Sequence, residues 1–176
     1  MKKLLQVTIP IVTLIIGLMI GRNMDKNLKD QTSNSERDYS VLKYIEFQPI
    51  WISYSDDECG EWGGNMEIIK IERENYKEPL NALYTYQKID CNDPYNERSK
   101  PNITKRKKRE LNQIEEELVV EIIVELVKTK LSRENVPAHS GIWNSVIVGD
   151  STLLIEDFPS NYIMNFGKLR DAIINE

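Results

Sequence analysis

Aromatic and β-branched residues collect in several stretches of the chain that are typical of β-strands. The first is 41–54, where Pro49 favours a bulge or an edge position because proline cannot donate a ladder hydrogen bond. Residues 65–73 and 81–89 follow, separated by a polar loop, and predict a hairpin. Two further β-rich runs lie within 142–157 around a Gly-Asp-Ser turn, which predicts a second hairpin.

Apolar residues of the first hairpin align when its two strands are numbered about Asn75. One half-buried sheet face then carries Met66, Ile68, Ala82, Tyr84 and Tyr86. Since side chains alternate between the two faces of a sheet, this register also decides which residues lie on the other face.

Two later stretches have helical patterns. Residues 111–132 are long, with three glutamates in the first turn and Lys128 and Lys130 in the last, which suits the helix dipole. Nearly all faces are apolar between Leu118 and Val127, which predicts a central buried helix. The C-terminal stretch predicts a helix with Ser160 as its N-cap. Its apolar residues at helical spacing are Tyr162, Phe166, Leu169 and Ile173.

The resulting order, βββ-α-ββ-α, predicts an α+β fold in which two helices cover an antiparallel sheet. We expect residues 41–176 to form this single domain, since the length suits one core.

The amino terminus predicts a membrane anchor helix over residues 1–21. Two lysines precede the mostly apolar residues 4–20, and Arg22 follows them. The alternative, a cleaved signal peptide, is less well supported because large residues stand at the −3 positions of the glycine sites. Residues 22–40 are polar and predict a flexible tether of roughly 25 Å. The domain is therefore expected outside the cytoplasm, at the periplasmic side or cell surface of a single-pass membrane protein.

Charge argues against nucleic acid as a partner. The formal net charge is −5, and outside the first 22 residues 20 basic residues stand against 28 acidic ones, a net charge of −8. An acidic body repels phosphates.

Cys59 and Cys91 are expected to form a disulfide. Numbering about Asn75 places them opposite each other at the open end of the first hairpin, where Cβ atoms approach to about 4 Å. An extracytoplasmic location would preserve the bond. Reactive or metal-bound thiols are the alternatives, although two cysteines are too few for a four-ligand zinc site.

The corner around Cys59 is rich in acids and glycines. Its acids, with two beside Cys91, could bind calcium, but the spacing of an EF-hand is missing and solvated turns are the stronger expectation. These acids are Asp56, Asp57, Glu58, Glu61, Asp90 and Asp93. The glycines match neither a dinucleotide-binding nor a P-loop pattern, and favour a tight entry into a strand. We expect no metal and no cofactor.

One dense basic run could bind an anionic partner such as lipid headgroups or envelope polyanions. The alternative is a solvated loop or an edge strand, where lysines discourage sheet-to-sheet pairing. The run consists of Lys105, Arg106, Lys107, Lys108 and Arg109.

His139 is the only histidine, so a Ser-His or Cys-His hydrolase site would have to use it. It lies in a loop, where an exposed or structural role is more common. Trp62 and Trp143, with His139, form a candidate binding surface, although tryptophans are more often core or strand anchors. Trp62 shares the parity of Met66 and is expected on the buried face.

These observations favour a membrane-tethered extracytoplasmic domain that acts by binding a protein partner, as immunity or inhibitor proteins do. One alternative is a small envelope hydrolase that uses His139 and loop carboxylates. The other is a structural component of the cell envelope held by the basic run.

Overall fold

The computed structural model describes residues 42, 48–75, 77–92, 102–134, 137–149 and 151–175. All of them belong to one unit, Tyr39–Glu176. In this part of the chain the strands are β1 (Ile50–Ser55), β2 (Met66–Glu72), β3 (Asn81–Lys88), β4 (Asn102–Glu110), β5 (Ile142–Val148) and β6 (Leu154–Ser160). The helices are α1 (Gln113–Ser132) and α2 (Met164–Ile174), with a short 3-10 helix at Gly60–Trp62.

The six strands form one antiparallel sheet in the order β4-β3-β2-β1-β5-β6. Both helices pack on the same face, where alternate strand residues such as Ile52, Ile69 and Val146 are fully buried with Phe166 and Leu169 of α2. The predicted α+β class, with two helices on an antiparallel sheet, is therefore confirmed. The opposite face carries partly exposed side chains.

The fourth strand is the element that the predicted order lacks. β4 contains the basic run and lies at an edge of the sheet, paired with β3. Its sequence has no apolar alternation because neither of its faces is buried in the core.

The first hairpin exists, but its predicted register is wrong. Met66 pairs with Gln87, so the centre of the hairpin lies between residues 76 and 77 and not at Asn75. The predicted face is correct for β3, where Ala82 and Tyr84 are buried. For β2 it is reversed, because Glu67, Ile69 and Ile71 face the core while Met66 and Ile68 face away. An odd shift in register exchanges the two faces of one strand.

β1 begins directly after Pro49 and lies inside the sheet between β2 and β5. The predicted edge position of Pro49 is therefore wrong, and its carbonyl instead accepts a hydrogen bond from the backbone N–H of Gly149 at 2.9 Å. Of residues 41–47, Leu42 is described and is buried.

The predicted anchor 1–21 and tether 22–40 lie outside the described residues. Among the helices that the structure describes, none is long and apolar enough to span a bilayer.

α1 begins with a capping box. The Asn112 side chain accepts from the Glu115 N–H at 3.1 Å, and the Glu115 carboxylate accepts from the Asn112 N–H at 2.9 Å. Its buried apolar residues, Val119, Ile122 and Leu126, lie on one face. Between Leu118 and Val127 these three residues are buried and the other seven are partly exposed, so the predicted central burial is wrong. A single sheet layer gives the helix only one side to pack against.

α2 has three of its four predicted apolar residues buried, Phe166, Leu169 and Ile173, whereas Tyr162 precedes the helix and is 37% exposed. The predicted N-cap is wrong, because Ser160 is the last residue of β6 and Ile163 holds the N-cap position without a side-chain cap. The carboxylate of Glu125 in α1 takes over this role. It accepts hydrogen bonds from the backbone N–H groups of residues 164 and 165 at 3.2 and 3.4 Å.

Candidate functional site

A cleft of about 300 Å³ lies at the end of β1, on the side where residues 56–65 form the corner loop. Its walls come from this loop, from residues 139–141 before β5, from the first residues of β2 and β5, and from β6 at Phe158. Segments far apart in sequence therefore build one concave surface.

The sheet register explains how the apolar wall forms. Ser55 at the end of β1 pairs with Met66 on one side and with Trp143 on the other, so these three residues are neighbours across three strands. They lie on the sheet face opposite the helices, since the preceding residue, Tyr54, contacts the helix side at Phe166. Phe158, which is 40% exposed, completes this wall.

The corner loop is held by the disulfide Cys59–Cys91, which confirms the predicted bond. The cysteine Cα atoms are 5.2 Å apart. Cys59 lies in a turn before the first paired residue of β2 and Cys91 in a turn after the last residue of β3, so the bond forms although the register that suggested it is wrong. The bond ties the loop that carries the cleft wall to the end of β3.

A carboxylate network closes the same loop from within. Asp56 accepts hydrogen bonds from the backbone N–H groups of Asn65 and Glu58 at 2.8 and 3.1 Å, and from the Asn65 amide at 3.1 Å. The Asn65 side-chain oxygen accepts from the Ile89 N–H at 3.2 Å. The hydrogen bonds that Asp56 accepts therefore come from the loop and hold its shape. No group of three or more metal-ligating side chains occurs within the described ranges.

Two glycines permit this tight path. A Cβ atom on Gly64 would stand 1.7 Å from Oδ1 of Asp56, so any side chain there would displace the carboxylate. Gly63 has a φ of 82°, in the left-handed region that favours glycine.

His139 and Ser140 form the third wall, and both are exposed. Gly141 brings them there, because its backbone lies against Pro159, where an added Cβ would be 2.6 Å from the proline Cβ. Among the described residues, no hydrogen bond joins His139 to Ser140 or to a carboxylate. The arrangement therefore lacks the nucleophile–base contact that acyl-transfer sites use.

Of the three residues predicted to form a binding surface, two line the cleft and one lies beside it. His139 and Trp143 line the cleft. Trp62 ends the 3-10 helix next to Glu61 and Gly63, both of which line it. Trp62 is 38% exposed, so its expected position on the buried face is wrong. The parity argument fails here because the 3-10 helix and residues 63–65 separate Trp62 from β2.

The basic run is divided by the two faces of β4. Lys107 donates to the Ile174 carbonyl at 3.0 Å and Arg109 donates to the Ala172 carbonyl at 2.7 Å, both at the C-terminal end of α2. Arg109 also pairs with Glu115 at 2.8 Å. The remaining cations, Lys105, Arg106 and Lys108, are exposed.

A buried polar network on the helix side was not predicted. The Tyr84 hydroxyl donates to Glu67 at 2.9 Å, and Arg170 donates to the other Glu67 oxygen at 3.2 Å. Burial, followed by the hydrogen bond to Glu67, raises the pKa of Tyr84. The signal in the sequence is Glu67 itself, a charge at the same parity as Ile69 and Ile71 of an apolar strand.

Comparison with protein-family models, with curated proteins and with solved structures finds no match for this chain.

Proposed function

We propose that this chain is a membrane-tethered, extracytoplasmic binding domain of the immunity or inhibitor kind, and that it holds a protein partner in the cleft. The observation that carries the proposal is the preformed wall of Met66, Trp143 and Phe158 beside a cross-linked loop. Large, half-exposed apolar side chains in a rigid concave surface are what binding hot spots require.

Charge supports a partner with a basic contact surface. Of the described residues, Glu61 and Asp56 line the cleft, and no described lysine or arginine does. The chain outside its first 22 residues has a net charge of −8. Acidic surfaces of this kind accelerate and orient association with basic partners.

The location rests on two features of the chain. The apolar residues 4–20 follow two lysines, as in export signals. A disulfide formed between Cys59 and Cys91 is typical of proteins outside the cytoplasm.

The experiment is affinity capture from the native envelope with the full chain and two tryptophan variants. Trp143→Ala removes a cleft wall, whereas Trp51→Ala removes a 38% exposed tryptophan from the same sheet face outside the cleft. A hot-spot tryptophan contributes about 2 kcal/mol or more, so Trp143→Ala should weaken binding of a stoichiometric partner by roughly 30-fold. Equal capture by both variants would refute the cleft as the binding site.

A hydrolase is the second candidate, because His139 and Ser140 line the same cleft as Glu61. Its test is turnover of envelope substrates by the full chain and by His139→Ala. Loss of a measurable turnover in a variant with an unchanged unfolding transition would overturn the binding proposal in favour of this one.

A further inference from the structure

The edge strand β4 is exposed along most of its length. It has nine residues, of which Lys107 and Arg109 are half-buried and the others exposed. Within the described chain it pairs on one side with β3, and its second edge has no strand partner. Alternate backbone N–H and C=O groups of such a strand point away from the sheet.

Three of its cations have no partner among the described residues. Lys107 and Arg109 hold the carbonyls at the end of α2, whereas Lys105, Arg106 and Lys108 make no hydrogen bond or ion pair with any described residue. Arg106 and Lys108 share a parity and project from the sheet face opposite the helices.

We propose that the β4 edge binds an extended, acidic segment of a protein partner, which adds to the sheet as a seventh strand. Unpaired backbone groups provide the affinity of such strand addition, and the flanking side chains provide its specificity. The cations at alternate positions would lie opposite acidic residues at alternate positions of the added strand, at a cross-strand distance of about 5 Å. This surface is separate from the cleft and does not rest on the proposed function.

Charge also selects the occupant among the alternatives. Two copies of this edge would bring Lys105, Arg106 and Lys108 against the same cations, which opposes self-pairing. Anionic lipid headgroups would satisfy the charges, but they would leave the backbone groups of the edge with water alone. An acidic strand satisfies both sets of groups.

The test measures binding of nine-residue peptides of alternating glutamate and valine to the full chain. Two isomeric peptides each carry four backbone N-methyl groups, placed either on glutamates or on valines. Because successive amides of a strand point to opposite sides, only one isomer keeps the hydrogen bonds to β4. We expect that isomer and the unmethylated peptide to bind, and the other isomer to bind at least roughly tenfold more weakly, the loss of several backbone hydrogen bonds.

The charge contribution is measured with the triple variant Lys105→Gln, Arg106→Gln, Lys108→Gln, which leaves the two cations at α2 intact. The glutamates of an alternating peptide lie on one face, opposite Arg106 and Lys108, so the loss of two exposed ion pairs implies roughly fivefold weaker binding, a difference that should shrink at high salt. The control is Lys77→Gln, Lys128→Gln, Lys168→Gln, which changes the net charge equally and should bind as the wild type does.

Two results would overturn the proposal. Equal affinities of the two methylated isomers, or no binding of the parent peptide, would show that strand addition does not occur. Vesicles of phosphatidylglycerol that distinguish the triple variant from its control, when the peptide does not, would assign the patch to a membrane surface.

Discussion

Replacing Gly64 by alanine should loosen the corner loop more than any other single methyl group added there. The new Cβ would stand 1.7 Å from Oδ1 of Asp56 and 2.7 Å from its backbone oxygen. The carboxylate cannot stay, and the backbone of residue 56 must move as well. The perturbation is steric, because Gly64 does not have the positive φ of its neighbour Gly63.

The magnitude follows from the hydrogen bonds that Oδ1 of Asp56 would lose. It accepts from the backbone N–H groups of Asn65 and Glu58. Hydrogen bonds to a charged group contribute about 1.5–3 kcal/mol each. The residue-58 amide is exposed and can turn to water, so the lower end applies, and we expect the free energy of unfolding to fall by about 3 kcal/mol.

The assay is urea unfolding of the full chain without reductant, and Gly60→Ala is the matched control. Gly60 has a φ of +63° and no atom within 4 Å of an added Cβ. Its replacement costs only the left-handed backbone penalty, about 1–2 kcal/mol. If Gly64→Ala is no more destabilising than Gly60→Ala, the carboxylate does not hold the loop. Gly64→Ala should also weaken partner capture, because the same loop forms a wall of the cleft.

Three further changes test the rest of the framework, each by urea unfolding. Replacing both Cys59 and Cys91 with serine should lower the free energy of unfolding by about 3–4 kcal/mol, the entropy of a loop of this length, and should remove any effect of reductant. Glu125→Ala removes the acceptor at the start of α2 and should cost about 1 kcal/mol. Tyr84→Phe leaves an oxygen of Glu67 without its buried donor and should cost about 1–3 kcal/mol at neutral pH. Because the folded-state pKa of Tyr84 is raised above its ordinary value of 10.0, its stabilising effect is complete below pH 10 and is lost as the pH rises further, so the variant should show a smaller alkaline loss than the wild type.

Each of these has a result that contradicts it. A wild-type midpoint that does not respond to reductant would show that the bond is not the constraint. Glu117→Ala is the control for Glu125→Ala, since Glu117 is another glutamate of α1 and, within the described residues, has no hydrogen bond to α2; equal losses would refute the capping role. An identical alkaline decline in wild type and Tyr84→Phe would show that Tyr84 does not titrate as inferred.

The strands and helices with strong local patterns could be predicted from the sequence. Composition and hydrophobic period indicate both hairpins and both helices. β4 was indicated only as one alternative for the basic run, since its stability comes from pairing with β3 and from two cations that reach α2, and neither contact leaves an apolar period.

The register of the first hairpin shows why correct elements still give wrong faces. The predicted hairpin centre, Asn75, lies one and a half residues before the observed centre, which is midway between residues 76 and 77. The position of the hairpin centre decides whether Met66 or Glu67 is buried, and hydrophobicity alone favours burial of Met66. Glu67 is buried because Tyr84 and Arg170 provide partners that are distant in sequence.

The cleft was predictable only in part. His139 and Trp143 could be named as candidates because their residue types are rare in the chain. Met66 and Phe158 could not, because their neighbourhood depends on the strand order, which places Ser55 between Met66 and Trp143.

Side chains that precede α2 in the sequence form hydrogen bonds with the backbone groups at both of its ends. Glu125 accepts from its first amides, and Lys107 and Arg109 donate to its last carbonyls. A helix of 11 residues is too short to persist alone in water. The stability of α2 therefore depends on its contacts with α1 and β4, and we expect α2 to become helical when it docks on them.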